Sequence, residues 1–291
     1  MPRILSIQSH VVSGYVGNKS AIFPLQLLGF DVDAINSVQL SNHTGYKVFL
    51  GQVLDDKDLE VLMSGLAQNN LDNYSHLLTG YVGSAPFLKR IAGVVRELKQ
   101  KNPNLIYVCD PVMGDNGKMY VPEELKEIYK TEIVPLADII VPNQYELEWL
   151  SDVKTNTILN IQTAINILHK AGPQIVAVSS VEIDNKLTAI CSTVKDNKVM
   201  QIDIPKIPAS FTGSGDLFAA LFLAHTHLQD NIKDAIEKTV GSLHSVLLKT
   251  YEHFQECRDQ DVQFARKIEL RLIQSKDCIE NPVVHLLAKP L

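Results

Sequence analysis

The residues best suited to chemistry lie where apolar runs give way to helical stretches. Gly213-Ser214-Gly215-Asp216 stands directly before Leu217-Phe218-Ala219-Ala220. Two glycines around a small hydroxyl residue make a turn whose amides open onto a helix N-terminus. Glycine lets a phosphate approach the backbone, orphan N–H groups point at it, and the helix dipole favours negative charge. Asp216 has two readings: a helix cap, or a carboxylate beside a phosphate site that takes the proton of an attacking hydroxyl.

A second group is Asp138-Ile139-Ile140-Val141-Pro142-Asn143-Gln144-Tyr145-Glu146, an apolar strand stopped by proline and followed by Asn-x-x-Glu. Asn143 and Glu146 have the spacing of a capping box. At the carboxyl end of a strand, the same oxygens could hold the water shell of Mg2+. In Tyr107-Val108-Cys109-Asp110-Pro111-Val112-Met113-Gly114-Asp115, Asp110 stands where another apolar strand ends. Asp-Pro with a nearby glycine is a turn signal, but with Glu146 it makes a hard-oxygen cluster plausible. The polar stretch Asn116-Gly117-Lys118-Met119-Tyr120 suits a flap over nucleotide and substrate.

Near the start, Gly17-Asn18-Lys19-Ser20 narrowly misses a Walker A loop, because Asn18 separates the glycine from the lysine. That loop is better placed to hold a substrate, with Ser9 as a hydroxyl anchor. Ser41-Asn42-His43-Thr44-Gly45-Tyr46 is equally polar, and on its own reads as a solvated loop.

These residues must be positioned by something. Short apolar runs at Arg3–Ile7, Asp31–Ser37, His76–Thr79, Ile106–Cys109, Asp138–Val141 and Ile175–Ser179 read as buried strands. Helical patterns at 19–28, 56–69, 85–101, 122–133, 146–151 and 161–171 alternate with them. Such alternation predicts right-handed crossovers, a mostly parallel twisted sheet with helices on both faces, and ligands beyond the strands' carboxyl ends. Period-two stretches from Ala189 to Ile204 predict a hairpin or antiparallel edge around Lys195-Asp196-Asn197-Lys198. A helix from Asp216, apolar nearly all round, should be deeply packed beside a second from Ile232 to Tyr251.

With 291 residues, 45% of them apolar and 21% charged, the chain can bury a large core, and nothing forces a domain boundary. A formal charge of -6 argues against nucleic acid as a partner. Cys109, Cys191, Cys257 and Cys278 show no metal or redox spacing. No signal peptide or membrane-length apolar run is present, which reads as a cytoplasmic protein without a membrane partner.

Taken in order, the motifs resemble the pyridoxal kinases of the ribokinase-like superfamily over nearly the whole chain. They are Ser-Ile-Gln-Ser-His at 6–10, Gly-Tyr-Val-Gly-Asn at 14–18, Asn-Ser-Val-Gln-Leu-Ser-Asn-His-Thr-Gly-Tyr at 36–46 and Leu-Thr-Gly-Tyr at 78–81. They continue with Val-Cys-Asp-Pro-Val-Met-Gly-Asp at 108–115, Pro-Asn-Gln-Tyr-Glu at 142–146 and Gly-Ser-Gly-Asp-Leu-Phe-Ala-Ala at 213–220. The resemblance implies a three-layer ribokinase-like fold in one domain, 1–291, that pairs as a homodimer. It implies transfer of the ATP γ-phosphate to the 5′-hydroxymethyl group of pyridoxal, pyridoxine or pyridoxamine, with Asp216 as base and Gly213, Ser214 and Gly215 as anion hole.

By the same resemblance Ser9, Val16, His43, Thr44 and Tyr81 hold the pyridine. Asp110, Asp115 and Glu146 hold Mg2+ or Zn2+, with Asn143 organising its waters and K+ or Na+ assisting. Ser179, Ser180, Tyr120, Phe218 and Leu247 lie along the nucleotide, and Asp115 and Tyr120 belong to the flap. The chain departs from many relatives in having Val141 where they carry a threonine before Pro-Asn, Ser214 where Thr is common, and a shorter flap than several animal relatives. The alternatives are a hydroxymethylpyrimidine kinase of the same fold, disfavoured by the N-terminal motifs, and a non-catalytic binder of vitamin B6 or nucleotide, disfavoured by the intact Asp216.

Overall fold

The computed structural model describes residues 1–257 and 263–291. Its main sheet takes strands β1 (Arg3–Val11), β2 (Asp31–Leu40), β3 (Gly51–Val53), β4 (His76–Thr79), β5 (Ile106–Cys109), β8 (Ile139–Ile140), β9 (Ile175–Ile183), β10 (Lys186–Thr193), β11 (Lys198–Ile204) and β12 (Lys289–Pro290). A separate two-stranded hairpin is formed by β6 (Gly114–Asp115) and β7 (Lys118–Met119). The helices are α1 (Asn18–Leu27), α2 (Asp56–Gln68), α3 (Ala85–Lys101), α4 (Glu124–Ile128), α5 (Gln144–Ser151), α6 (Ile158–Ala171), α7 (Ser214–Leu228), α8 (Ile232–Glu256), α9 (Phe264–Lys267) and α10 (Lys276–Glu280).

The strand order is β12-β11-β10-β9-β8-β5-β4-β1-β2-β3. Strands β2, β1, β4, β5, β8 and β9 pair in parallel, and the outer strands on both sides are antiparallel. Successive strands sort their side chains to opposite faces, as the pleat requires. Leu5, Ile7, Leu77, Tyr107 and Ile140 pack with α2, α3, α5 and α6 on one face. Ile4, Leu78, Val108 and Ile139 pack with α1, α7 and α8 on the other. The result is the three-layer, helix-covered, mostly parallel sheet expected from the alternation of elements. Helix α7 is the most deeply packed, with every residue from Leu217 to Ala224 at 1% exposure or less.

Several expectations need correction. The helix expected over 122–133 is only α4, followed by a wider π turn at Tyr129–Ile133 and a tight turn at Val134–Leu136. The backbone stays helical from Tyr129 to Val134, so what changes is the hydrogen-bond spacing, ahead of Pro135, which has no N–H to donate in the last turn. Helix α6 starts three residues before the expected Ile161, because Thr157 caps it by accepting from the Asn160 N–H at 3.2 Å. The antiparallel edge begins one strand earlier than expected, with β9 turning into β10 through Asp184 and Asn185, both at positive φ. Strands β3 and β12 have three and two residues, too short for a periodicity to register.

The topology sets where a site can lie. From β1 the chain crosses to β2 on one side and later returns to β4 on the other, so the connections part between β1 and β4. Such a switch point opens a crevice beyond the strands' carboxyl ends. Gly80 N–H bonds Ile7 O, Asp110 N–H bonds Thr79 O, Val141 N–H bonds Cys109 O and Ser179 N–H bonds Pro142 O, so the ladder continues into the loops after β4, β5 and β8, which leave that same edge.

Candidate active site

The anion turn is built as its residues require. Gly213 precedes α7 with φ +84°, and a Cβ there would lie 2.2 Å from Tyr15 O, so only glycine fits. Gly215 is exposed, and a Cβ added to it would meet nothing within 4 Å, which leaves open space in front of the first α7 amides. Those amides have no partners inside the helix.

Asp216 does not cap its own helix. Its Oδ2 accepts from the N–H of Gly17, 199 residues earlier, at 2.8 Å. Gly17 is the residue before α1, with φ +53°, and a Cβ on it would lie 2.0 Å from Ser9 O. Two helix N-termini therefore converge on one carboxylate, and Ser20 Oγ fastens them by donating to Gly213 O at 3.0 Å. Burial raises the Asp216 pKa, and the Gly17 hydrogen bond partly opposes it. A carboxylate made more basic in this way is suited to accept a proton.

Beyond β8, Asn143 and Glu146 form the full capping box. Asn143 Oδ1 accepts from Tyr145 N–H at 2.9 Å and Glu146 N–H at 3.0 Å, while Glu146 Oε2 accepts from Asn143 N–H at 2.9 Å. Glu146 does more than cap: its Oε1 accepts from Met113 N–H at 2.9 Å, and Asn143 Nδ2 donates to Gly114 O at 2.8 Å. The box thus anchors the β6–β7 hairpin, which occupies the stretch expected to be a flap. Its turn is Asn116-Gly117, both at positive φ, as a tight hairpin of this kind demands. Asp115 and Tyr120 are exposed on it.

Asp110 is 5% exposed and its Oδ2 has no hydrogen-bond partner. Burial lifts its pKa well above the ordinary carboxylate range, and the nearby charges of Glu146 and Asp216 lift it further. Burial raises Glu146 too, against its backbone hydrogen bonds. A buried, unpartnered carboxylate oxygen facing like charges fits a hard cation, so the residues present suit Mg2+. The expected trio of Asp110, Asp115 and Glu146 is not gathered into a coordination shell: no cluster of three or more His, Cys, Asp or Glu able to hold a metal occurs among the described residues. Asp115 faces solvent on the flap, where its Oδ1 accepts from Asn116 N–H at 2.7 Å.

The loops after β1 and β2 rest on a buried amide network. Asn18 bonds Ser6 Oγ at 2.8 Å, Ile35 O at 3.0 Å and Asn36 Oδ1 at 2.8 Å, and Gln8 Nε2 donates to Ser6 Oγ at 2.8 Å. Lys19 donates to Val12 O at 2.8 Å, so it braces its own loop, in line with the rejection of a Walker A reading. Val16 is buried, Ser9 and Tyr81 are half-buried, and Thr44 is exposed. Tyr81 is fixed through its carbonyl, which accepts from Ser37 Oγ at 2.6 Å.

His43 is 6% exposed, with Nδ1 accepting from Gly45 N–H at 3.1 Å and Nε2 3.6 Å from Glu269 Oε1. Because Nδ1 accepts, the neutral ring carries its proton on Nε2. Burial lowers the His43 pKa, opposed by Glu269. Glu269 had no place in the sequence reading.

One nucleotide assignment needs correction. Phe218 is 1% exposed and stacks on Phe222 at 5.9 Å inside the core. Two residues along a helix turn a side chain by about 200°, so Phe218 faces away from the site that Asp216 faces. Leu247 is half-buried against the apolar cluster joining α7, α8 and the C-terminal segment, and Ser179 and Ser180 are half-buried at the sheet edge.

An anion turn, a half-buried carboxylate whose pKa burial raises and a switch-point crevice on a three-layer sheet define an ATP-dependent small-molecule kinase of the ribokinase-like superfamily. Residues 72–257 match the family model described as phosphomethylpyrimidine kinase. The chain is 49% identical to pyridoxal kinase of Arabidopsis thaliana, covering 99% of this chain and 94% of that one, and 46% identical to pyridoxal kinase of Homo sapiens, covering 99% and 98%. Its fold matches pyridoxal kinase from Leishmania donovani in complex with ADP and pyridoxamine at TM-score 0.91 and 35% identity, covering all of both chains. It belongs to the pyridoxal kinase family.

Proposed function

We propose that the protein transfers the γ-phosphoryl group of ATP to the 5′-hydroxymethyl group of pyridoxal, pyridoxine and pyridoxamine. The observation that carries this reading is the meeting of Asp216 with the α1 N-terminus, which sets one half-buried base between an anion cradle and the N-terminal loops. The acceptor hydroxyl attacks the γ-phosphorus, its proton passes to Asp216, and the bond to the β-phosphate oxygen breaks to release ADP. The amides of Gly213, Ser214 and Gly215, with the α7 dipole, stabilise the charge on the transferred group. Asp110 and Glu146, with Asn143, would hold Mg2+ or Zn2+ through its waters. The ion supplies charge neutralisation on the phosphates, with K+ or Na+ assisting. Ser9, Val16, His43, Thr44 and Tyr81 form the wall for the pyridine. Ser179, Ser180, Tyr120 and Leu247 border the nucleotide.

The ten-stranded sheet takes strands from Arg3 to Pro290, which favours one kinase domain for the whole chain. Exposed Val48, Phe49, Leu50 and Val53 along the β3 edge suit pairing of two copies. No helix among the described residues is long and apolar enough to cross a membrane. Four free thiols suit the reducing cytoplasm, where we place the protein.

The phosphomethylpyrimidine description of the family model keeps a pyrimidine alcohol as the competing acceptor. Turnover of pyridoxal and of hydroxymethylpyrimidine with ATP, measured side by side, decides it. Preference for pyridoxal is expected; preference for the pyrimidine sinks the proposal.

A further inference from the structure

Glu269 is a buried carboxylate, 8% exposed, that reaches three separate loops of the site. Its Oε2 accepts from Tyr15 N–H at 2.9 Å, in the loop after β1, across 254 residues of chain. Its Oε1 accepts from Tyr46 Oη–H at 3.1 Å and lies 3.6 Å from His43 Nε2, both in the loop after β2. Its backbone forms an isolated parallel bridge with Thr212, the residue before the anion turn. Space has been cleared for the carboxylate: Gly14 has φ +101°, and a Cβ there would lie 2.3 Å from Glu269 Oε2. Arg266, three residues earlier, adds a bond from Nη1 to Ser13 Oγ at 3.3 Å. Burying a carboxylate is unfavourable unless donors satisfy it, and here the donors belong to the loops that flank the acceptor.

We propose that Glu269 is a positioning residue for the acceptor alcohol: through Tyr15 N–H and the Tyr46 hydroxyl it clamps the loops carrying Tyr15 and Val16 and carrying His43 and Thr44 against each other. His43 Nδ1 accepts from Gly45, and its Nε2 lies 3.6 Å from Glu269 Oε1, beyond hydrogen-bond reach, so the carboxylate acts on that ring by its charge and packing. The carboxylate itself bonds to the loops after β1 and β2, and Glu269 meets Thr212, before the anion turn, through its backbone.

This inference rests on the functional reading above, and the test separates the two. Turnover of pyridoxal by the wild-type protein checks that reading first, and its absence sinks that reading whatever the variants do. For Glu269→Ala, which removes the bonds from Tyr15 N–H and the Tyr46 hydroxyl, KM for pyridoxal is expected to rise about tenfold or more, with KM for ATP and kcat within about twofold. Glu269→Gln keeps an acceptor for Tyr15 N–H and an amide for the Tyr46 hydroxyl, and is expected to recover most of the affinity. Tyr46→Phe removes one bond only and should give the same split at a few-fold, which serves if the alanine variant does not fold. Equal rises in both KM values, a fall in kcat alone, or no change in either KM overturns the proposal.

Discussion

The two halves of the site are held together differently. The phosphate half is assembled from short stretches of contiguous chain: Gly213 to Asp216 at the start of α7, Asn143 to Glu146 at the start of α5, and Asp110 at the end of β5. Backbone amides and helix ends do most of the binding there, so four or five consecutive residues specify each piece. The acceptor half is assembled by side chains reaching across more than 200 residues, as Glu269 does to Tyr15 and Tyr46. Burial raises the carboxylates of the phosphate half in pKa, whereas the loops of the acceptor half rest on a buried amide network in which Asn18 bonds Ser6, Ile35 and Asn36, with Gln8 Oε1 and His43 Nε2 left without a partner. Chemistry and architecture are thus separable in this molecule, and substitutions should separate them.

The largest effect is expected from Asp216→Asn, which removes the base. Turnover should fall about 10²- to 10⁴-fold with vitamer binding retained, read by steady-state ADP release and a binding titration. The same variant should melt no lower than the wild type, because burial already disfavours the Asp216 charge; a large drop in melting temperature would mean that the carboxylate is structural and collapse the contrast.

On the acceptor side Asn18→Ala should do the reverse. It strips a fully buried residue from four partners and is expected to reduce stability by about 2–4 kcal/mol in urea titrations, from unsatisfied Ser6, Ile35 and Asn36 groups. Unchanged stability would refute the view that this network is the frame of those loops.

Smaller again is Glu146→Gln. An amide nitrogen must then face a backbone N–H from Met113 or Asn143, so the flap loses an anchor and kcat/KM should fall about 10- to 100-fold, with apparent affinity for Mg2+ reduced. Retained Mg2+ affinity would remove Glu146 from the metal assignment.

The smallest effect concerns pH. Asp110 and Glu146 have pKa values raised above their unfolded values, so the folded protein binds more protons than the unfolded chain between the two. Their contribution to stability is therefore present at low pH and lost as pH rises from the ordinary carboxylate range, near about 4, towards neutrality. Without divalent metal the melting temperature should lose a few degrees over that interval relative to an Asp110→Asn variant, and Mg2+ should restore more at neutral than at acidic pH. A pH-independent Mg2+ effect would show that these carboxylates do not meet the ion.

The same division explains what the sequence made legible. The strands of the parallel core announced themselves as short runs, all of them buried and apolar except β2, whose Asp31, Asp33 and Ala34 are exposed, and the phosphate half could be read because each motif is local. Glu269 could not be read, since nothing between Ile268 and Leu270 marks it apart from an edge-strand residue and its partners lie at the other end of the chain. A buried acid in an otherwise apolar stretch, opposite a glycine such as Gly14, was the available signal. Phe218 was assigned by resemblance, and only the structure shows its ring stacked on Phe222 in the core, because the side one residue of a helix faces depends on the packing around it.

Glu269 also orders the molecule in time. The loops after β1 and β2 wait for a residue near the far end of the chain, and so does α7, whose Leu217 and Leu221 pack with Leu270, Leu272 and Ile279 of the same segment. That stretch acts as the last latch of the site, and truncating it is expected to cost vitamer binding and the packing of α7 together.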